Sequence, residues 1–130
     1  MSSLIPGIKG MAEVEVVHEN TAAAVGSGAL EVFGTQSMIA LMEKAALTSV
    51  QPYLEDGQGT VGTHLDVSHL AATPIGMTVQ VESELVSVEG RVLNFKVSAY
   101  AGGEKIGEGT HQRCIVFNER FLAKAQAKRK

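Results

Sequence analysis

Glu43 lies in the stretch 35–51, T-Q-S-M-I-A-L-M-E-K-A-A-L-T-S-V-Q, the one long segment of the chain that reads as a helix. On a 3.6-residue period its neighbours three and four positions away are Ile39, Ala40, Ala46 and Leu47, all apolar. Ser37, Lys44, Thr48 and Gln51 form a separate polar stripe, where an ordinary surface glutamate would belong. Removing a carboxylate from water costs free energy unless it is hydrogen-bonded or neutralised. A partly desolvated carboxylate is also the kind of group that serves as a general base or nucleophile. Two readings therefore stand for Glu43: an acid at a working site, or an edge-of-core residue whose head escapes to solvent or to a neighbouring chain.

From Thr60 onward the period changes to two. Val61, Thr63, Leu65, Val67 and His69 share one strand face, and Gly62, His64, Asp66 and Ser68 share the other. The apolar face must meet the helix, so His69 is expected to point towards Glu43 and away from water. His64 and Asp66 point the other way, and the candidate ligands of H-L-D-V-S-H therefore do not converge on a metal. A histidine on an apolar face is equally read as a satisfied core residue.

The elements that must position these groups follow in order. Residues 10–18 alternate, with Ala12, Val14 and Val16 on one side, as a half-buried strand does. The small-residue segment 21–32 reads as a short helical turn plus a loop. Thr35 is placed to cap the long helix with its hydroxyl, and Pro52 stops it. Further strands are expected at 77–88, 91–100 and 105–118, joined by turns at Glu89-Gly90 and Ala101-Gly102-Gly103-Glu104. In the last strand Gly107 and Gly109 share a face with His111 and Arg113, and alternate glycines mark a bend or a close backbone approach. His111 is expected only to pair within the sheet. One helix and five strands with short connections predict an α+β domain in which a curved antiparallel sheet wraps around the helix. Such a domain leaves a sheet edge and part of the helix uncovered, which a symmetric dimer would bury.

Composition narrows the function classes. A chain of 130 residues with a 45% hydrophobic fraction reads as one domain, 1–130. Its net charge of −3 provides no field for nucleic acid, and the basic end formed by Lys124, Lys128, Arg129 and Lys130 reads as a frayed, solvated terminus. Cys114 is the only cysteine, which excludes an internal disulfide and a cysteine-pair zinc site and suits a reducing cytoplasm. No apolar run approaches the roughly 20 residues that span a bilayer, so a soluble protein without membrane partners is expected.

Beyond these patterns, the order of elements resembles the hot-dog fold. The segments V-F-G-T-Q-S-M-I-A-L-M-E, Y-L-E-D-G-Q-G-T-V-G-T-H, S-H-L-A-A-T-P-I-G-M and I-G-E-G-T-H-Q-R are similar to those of the fluoroacetyl-CoA thioesterase-like family of hot-dog thioesterases, over about Gly10 to Lys124. The resemblance implies a catalytic set of Thr35 at the helix start, Glu43 two turns in and His69 at the end of the next strand. It also implies that the Gly62 backbone approaches the thioester and that Arg113 holds part of coenzyme A. Taken singly, Thr35 reads as a helix cap, Gly62 as a strand glycine and Arg113 as a partner in a surface salt bridge.

The implied activity is hydrolysis of a small acyl-CoA thioester, with no cofactor besides the coenzyme A of the substrate and no metal. Glu43 would attack the carbonyl or activate water, while His69 and Thr35 assist. The segment A-A-A-V-G-S-G-A-L carries no aromatic residue before Phe33, so the aromatic lid of a fluoroacetyl-selective member is missing and a broader short- or medium-chain range is expected. The alternative from another class is a non-catalytic acyl-CoA binding or sensing module using the same groove.

Overall fold

The computed structural model describes residues 4–129; residues 1–3 and Lys130, the last member of the basic end, lie outside the described residues. Alternation of apolar and polar side chains produces five strands: β1 (Lys9–Glu15), β2 (Gln58–His69), β3 (Thr78–Glu89), β4 (Val92–Ala101) and β5 (Glu104–Phe117). They form one antiparallel sheet in the order β1-β3-β4-β5-β2. After β1 come a 3-10 turn (His18–Asn20) and the short helix α1 (Ala22–Val25), whose first turn is capped by the Thr21 hydroxyl accepting from the Ala24 N–H at 3.2 Å. The long helix α2 (Thr35–Val50) follows, and Pro52 sits in the 3-10 turn Gln51–Tyr53 that ends it.

Helix α2 buries Met38, Leu41, Met42, Ala45, Ala46 and Val50 against Val79, Val81, Leu85, Leu93, Phe95 and Val97 of the sheet. The sheet wraps around this helix, as the pattern predicts. The packing is asymmetric, however: α2 rests on β1 and β3, less on β4 and only lightly on β2. Ala40 is consequently exposed, and Ile39 and Leu47 are half-buried, although the helical period alone places all three on an apolar face. The concave surface of β5 and β2 beyond the helix is where Glu43 looks out.

Two features depart from the sequence expectation. The pairing of β2 with β5 runs Gly62↔Arg113 and then His64↔Gln112, leaving Thr63 as a bulged extra residue. Parity reverses there, because one added residue flips every side chain beyond it. Leu65, Val67 and His69 face the helix as expected, opposite His111, Gly109 and Gly107. Before the bulge it is Thr60 and Gly62 that face inward, opposite Ile115 and Arg113, and Val61 does not. The second departure is α3 (Asn118–Gln126), a helix in place of a frayed end, none of whose residues is buried. Among the described residues no helix is long and apolar enough to cross a membrane.

The two glycines of β5 mark close approaches. A Cβ at Gly107 would strike the Met38 sulfur of α2, and one at Gly109 would strike the Asp66 carbonyl and lie 2.6 Å from Val67 Cα on β2. The second obstruction is backbone and cannot swing aside. Gly109→Ala is therefore expected to lower folding stability by about 1–3 kcal/mol, as overpacking does. Urea unfolding followed by circular dichroism measures this, and an unchanged midpoint would show that β2 and β5 separate freely.

Candidate active site

Helix α2 begins at Gly34, whose extended backbone occupies the N-cap position without a side-chain cap. Thr35 is thus the first helical residue and not the cap that its position in the sequence suggests. Its hydroxyl is left to bond the Nδ1 of His69 at 2.7 Å, joining the helix start to the end of β2. The Nε2 of His69 is shielded from solvent and has no hydrogen-bond partner among the described residues. Burial lowers the pKa of this imidazole, the Ala71 backbone working against it, so the ring is held neutral. A neutral imidazole with one nitrogen bonded to a hydroxyl and the other uncommitted can accept or donate one proton.

Glu43 lies two turns along α2, about 12 Å of helical rise from Thr35. Within one chain His69 is therefore bonded to Thr35 and does not reach the acid as its strand face suggests. Glu43 instead overhangs the inward face of β2 and β5. A Cβ built at Gly62 would come within 2.7 Å of Glu43 Oε2 and 3.1 Å of His111 Cε1, so only a glycine leaves the carboxylate where it is. The acid is 38% exposed, and its charged neighbour is Arg113, whose Nη1 lies 3.9 Å from Oε2, an ion-pair distance too long for a hydrogen bond.

Arg113 is not the surface residue that its place near a strand end allows. It is 6% exposed, with Nε donating to Thr60 Oγ1 at 2.7 Å, Nη2 to the Thr60 carbonyl at 2.9 Å and Nη1 to His111 Nε2 at 3.1 Å. Burial pulls its pKa down, and Glu43 works in the opposite direction. His111 is 1% exposed, stacked on Phe95 with ring centroids 6.2 Å apart. No sequence motif singles it out. The available signal was a histidine two residues before an arginine on the inward face of a glycine-bearing strand. Its pKa is lowered, by burial first and also by Arg113, against the His64 carbonyl and Glu43.

The inward surface thus carries two clusters, Thr35–His69 at the start of α2 and Glu43–Gly62–Arg113–His111 further along. Among the described residues no three His, Cys, Asp or Glu side chains converge to hold a metal ion. A concavity of about 870 Å³ runs over the outer face of the sheet past Lys9, Glu82, Lys96, Tyr100 and Glu108, and contains neither cluster. It is open to solvent, and its lining includes the exposed Lys105–Glu108 ion pair at 2.8 Å.

The two depressed imidazoles set a pH dependence. On acidification the unfolded chain takes up protons first, near the ordinary imidazole value of 6.5, while His69 and His111 in the folded chain resist. Their contribution to stability is complete above that value and is lost as the pH falls through the lowered folded values. Thermal unfolding should show a falling midpoint between about pH 7 and about pH 5. A midpoint that rises over this interval would contradict the neutral assignment of both rings.

Comparison with known proteins places this geometry. The family model for fluoroacetyl-CoA-specific thioesterase, FlK, matches residues 16–119. The fluoroacetyl-CoA thioesterase of Streptantibioticus cattleyicolor is 51% identical over 98 residues, covering 75% of this chain and 70% of that one. The solved structure of the fluoroacetyl-CoA thioesterase FlK superposes with a TM-score of 0.93 at 39% identity, covering 99% of this chain and 100% of that one. A Thermus thermophilus hypothetical protein, a member of the thioesterase superfamily, follows at a TM-score of 0.89 and 28% identity over 98% and 94% of the two chains. The chain has the hot-dog fold and belongs to the fluoroacetyl-CoA-specific thioesterase family.

Proposed function

We propose that the chain hydrolyses a small acyl-CoA thioester to the free acid and coenzyme A, with Glu43 acting at the carbonyl carbon and His69 and Thr35 assisting. The observation that carries this reading is the Glu43 carboxylate, held over a glycine on the concave sheet face with a buried guanidinium behind it. A thioester approaching the exposed side of the Glu43 carboxylate meets a nucleophile there, with the Gly62 backbone, bare of any side chain, beside it. Either a Glu43 oxygen bonds to the carbonyl carbon and the C–S bond breaks, after which water cleaves the anhydride, or Glu43 takes a proton from the water that attacks. Both routes consume one water and release one thiol, whose sulfur takes up the proton that the water gives up; the neutral His69 imidazole can relay it, accepting on one nitrogen and donating from the other. The bulge at Thr63 interrupts the β2–β5 ladder beside Gly62 and makes the backbone N–H there a candidate oxyanion donor.

The separation of the two clusters is met by a symmetric homodimer. Thr35 and Glu43 flank Ile39 by four residues each, so two α2 helices meeting antiparallel about Ile39 set each Glu43 beside the Thr35–His69 pair of the other copy. The half-buried Ile39 and Leu47 and the exposed Ala40 supply the apolar contact. Arg113, buried and bonded three times, suits a role beneath the acid better than one at the coenzyme A phosphates. Lys124 on the exposed helix α3 is the more accessible cation for those. The segment before α2 carries exposed Val25 and Leu30 and no aromatic lid, which favours a range of short acyl chains over fluoroacetyl selectivity.

Thiol release from acetyl-, butyryl-, hexanoyl- and fluoroacetyl-CoA tests the reading. Glu43→Ala is expected to abolish turnover while the protein stays folded by circular dichroism. Loss of turnover in neither protein would remove Glu43 from the chemistry; no turnover by the unaltered chain, with coenzyme A still bound, would favour the non-catalytic binding module. Gly62→Ala should displace the carboxylate and press on the buried His111 ring, depressing kcat and lowering stability by about 1–3 kcal/mol. An equimolar mixture of Glu43→Ala and His69→Ala chains, refolded together, should regain about a quarter of full activity, since half the dimers carry one intact site. A mixture as inactive as its components would place each site within one chain.

A further inference from the structure

His111 is a deeply buried titratable side chain for which the proposed reaction has no use. Its hydrogen bonds determine its tautomer. The His64 carbonyl, 2.9 Å from Nδ1, can only accept, so Nδ1 carries the proton. The Arg113 guanidinium, 3.1 Å from Nε2, can only donate, so Nε2 presents its lone pair. The Nη1 that this lone pair holds is the same atom that faces Glu43 Oε2. With Thr60 taking Nε and Nη2, the imidazole is the third fixed point of the guanidinium plane.

We propose that His111 is a positioning residue for Glu43: its neutral Nδ1–H imidazole fixes Arg113 so that Nη1 faces the carboxylate, and protonation of the ring releases that hold. A protonated ring has no lone pair for Arg113 and sets a second cation against it, so the guanidinium must turn or withdraw. Two charged groups face the ring, Arg113 on its own strand and Glu43 from α2. From β2 it meets the His64 backbone, Gly62 and Leu65, and from β4 the Phe95 ring. The exposed side chains of His64, Asp66 and Lys96 lie on the outer side of the sheet. Burial, which lowers the pKa of His111, keeps the ring in the required form at neutral pH. The proposal rests on Glu43 being the catalytic acid.

The test is acetyl-CoA hydrolysis by the full chain between about pH 5 and about pH 8, for the unaltered protein, His111→Leu, His111→Gln and Glu43→Ala. His111→Leu removes the acceptor and should lower kcat by ten- to a hundredfold with KM nearly unchanged, the scale of loss expected of a misplacement of about 1 Å. His111→Gln supplies an amide oxygen that accepts from Arg113 and does not titrate, so it should retain most of the neutral-pH kcat while its acid limb moves to lower pH. A folded His111→Leu with undiminished kcat, or a His111→Gln acid limb coincident with the unaltered one, overturns the proposal. If His111→Leu does not fold, nitrogen-15 shifts of the His111 ring in the unaltered protein decide: protonated Nδ1 with bare Nε2 supports it, and the opposite tautomer overturns it. Full turnover by Glu43→Ala would instead sink the functional reading beneath it.

Discussion

A guanidinium buried under an open carboxylate is the interaction on which the site depends. Arg113 keeps its charge in the folded chain, and a cation out of water must be hydrogen-bonded and paired. Thr60, on both its hydroxyl and its carbonyl, and His111 satisfy three of its donating nitrogens, and Glu43 supplies the opposite charge at 3.9 Å. The acid is thereby held by charge without a direct hydrogen bond, which leaves its oxygens free to act. Gly62 completes the arrangement by leaving the space over which the carboxylate lies.

That arrangement exists because β2 changes face. Without the bulge at Thr63, strict alternation would place Val61 opposite the helix and turn Gly62 outward. The extra residue allows one strand to present His69 to the start of α2 and Gly62 to its middle, on the same side of the sheet. Asymmetric packing of α2 over β1 and β3 then leaves the β5–β2 surface uncovered where the two clusters lie. A tighter fit of helix to sheet would bury Glu43 and close the entrance.

Most of the fold was legible in the sequence, because α2 is a long apolar segment bounded by Gly34 and Pro52 and alternation runs through most of each strand. The glycines of β5 announced close approaches, and these are where Met38 and the β2 backbone press in. Parity failed at Gly62 since a bulge has no signature in a run such as G-T-V-G-T-H, and alternation carries an error of one residue through a whole segment. Thr35 looked like a cap by residue type alone; the extended Gly34 takes that position and frees the hydroxyl for His69. Helix α3 was passed over although Phe121, Leu122 and Ala125 form a short apolar stripe, because the basic residues that follow pointed to a solvated end and none of the stripe is buried. His111 was read as a sheet residue because the bond that orients its ring goes to the His64 carbonyl, 47 residues away, and only that bond turns the other nitrogen to Arg113.

In the proposed reaction the thioester carbonyl lies against the Glu43 carboxylate, beside Gly62. A crystal structure of the Glu43→Gln variant with an intact acyl-CoA bound tests it most directly, since the carboxamide preserves the shape of the acid and slows the reaction. The thioester carbonyl carbon is expected within about 3.5 Å of the residue 43 side chain, a near-attack distance, with the acyl group beside Gly62. A thioester bound away from residue 43, with that side chain in solvent, would contradict this geometry.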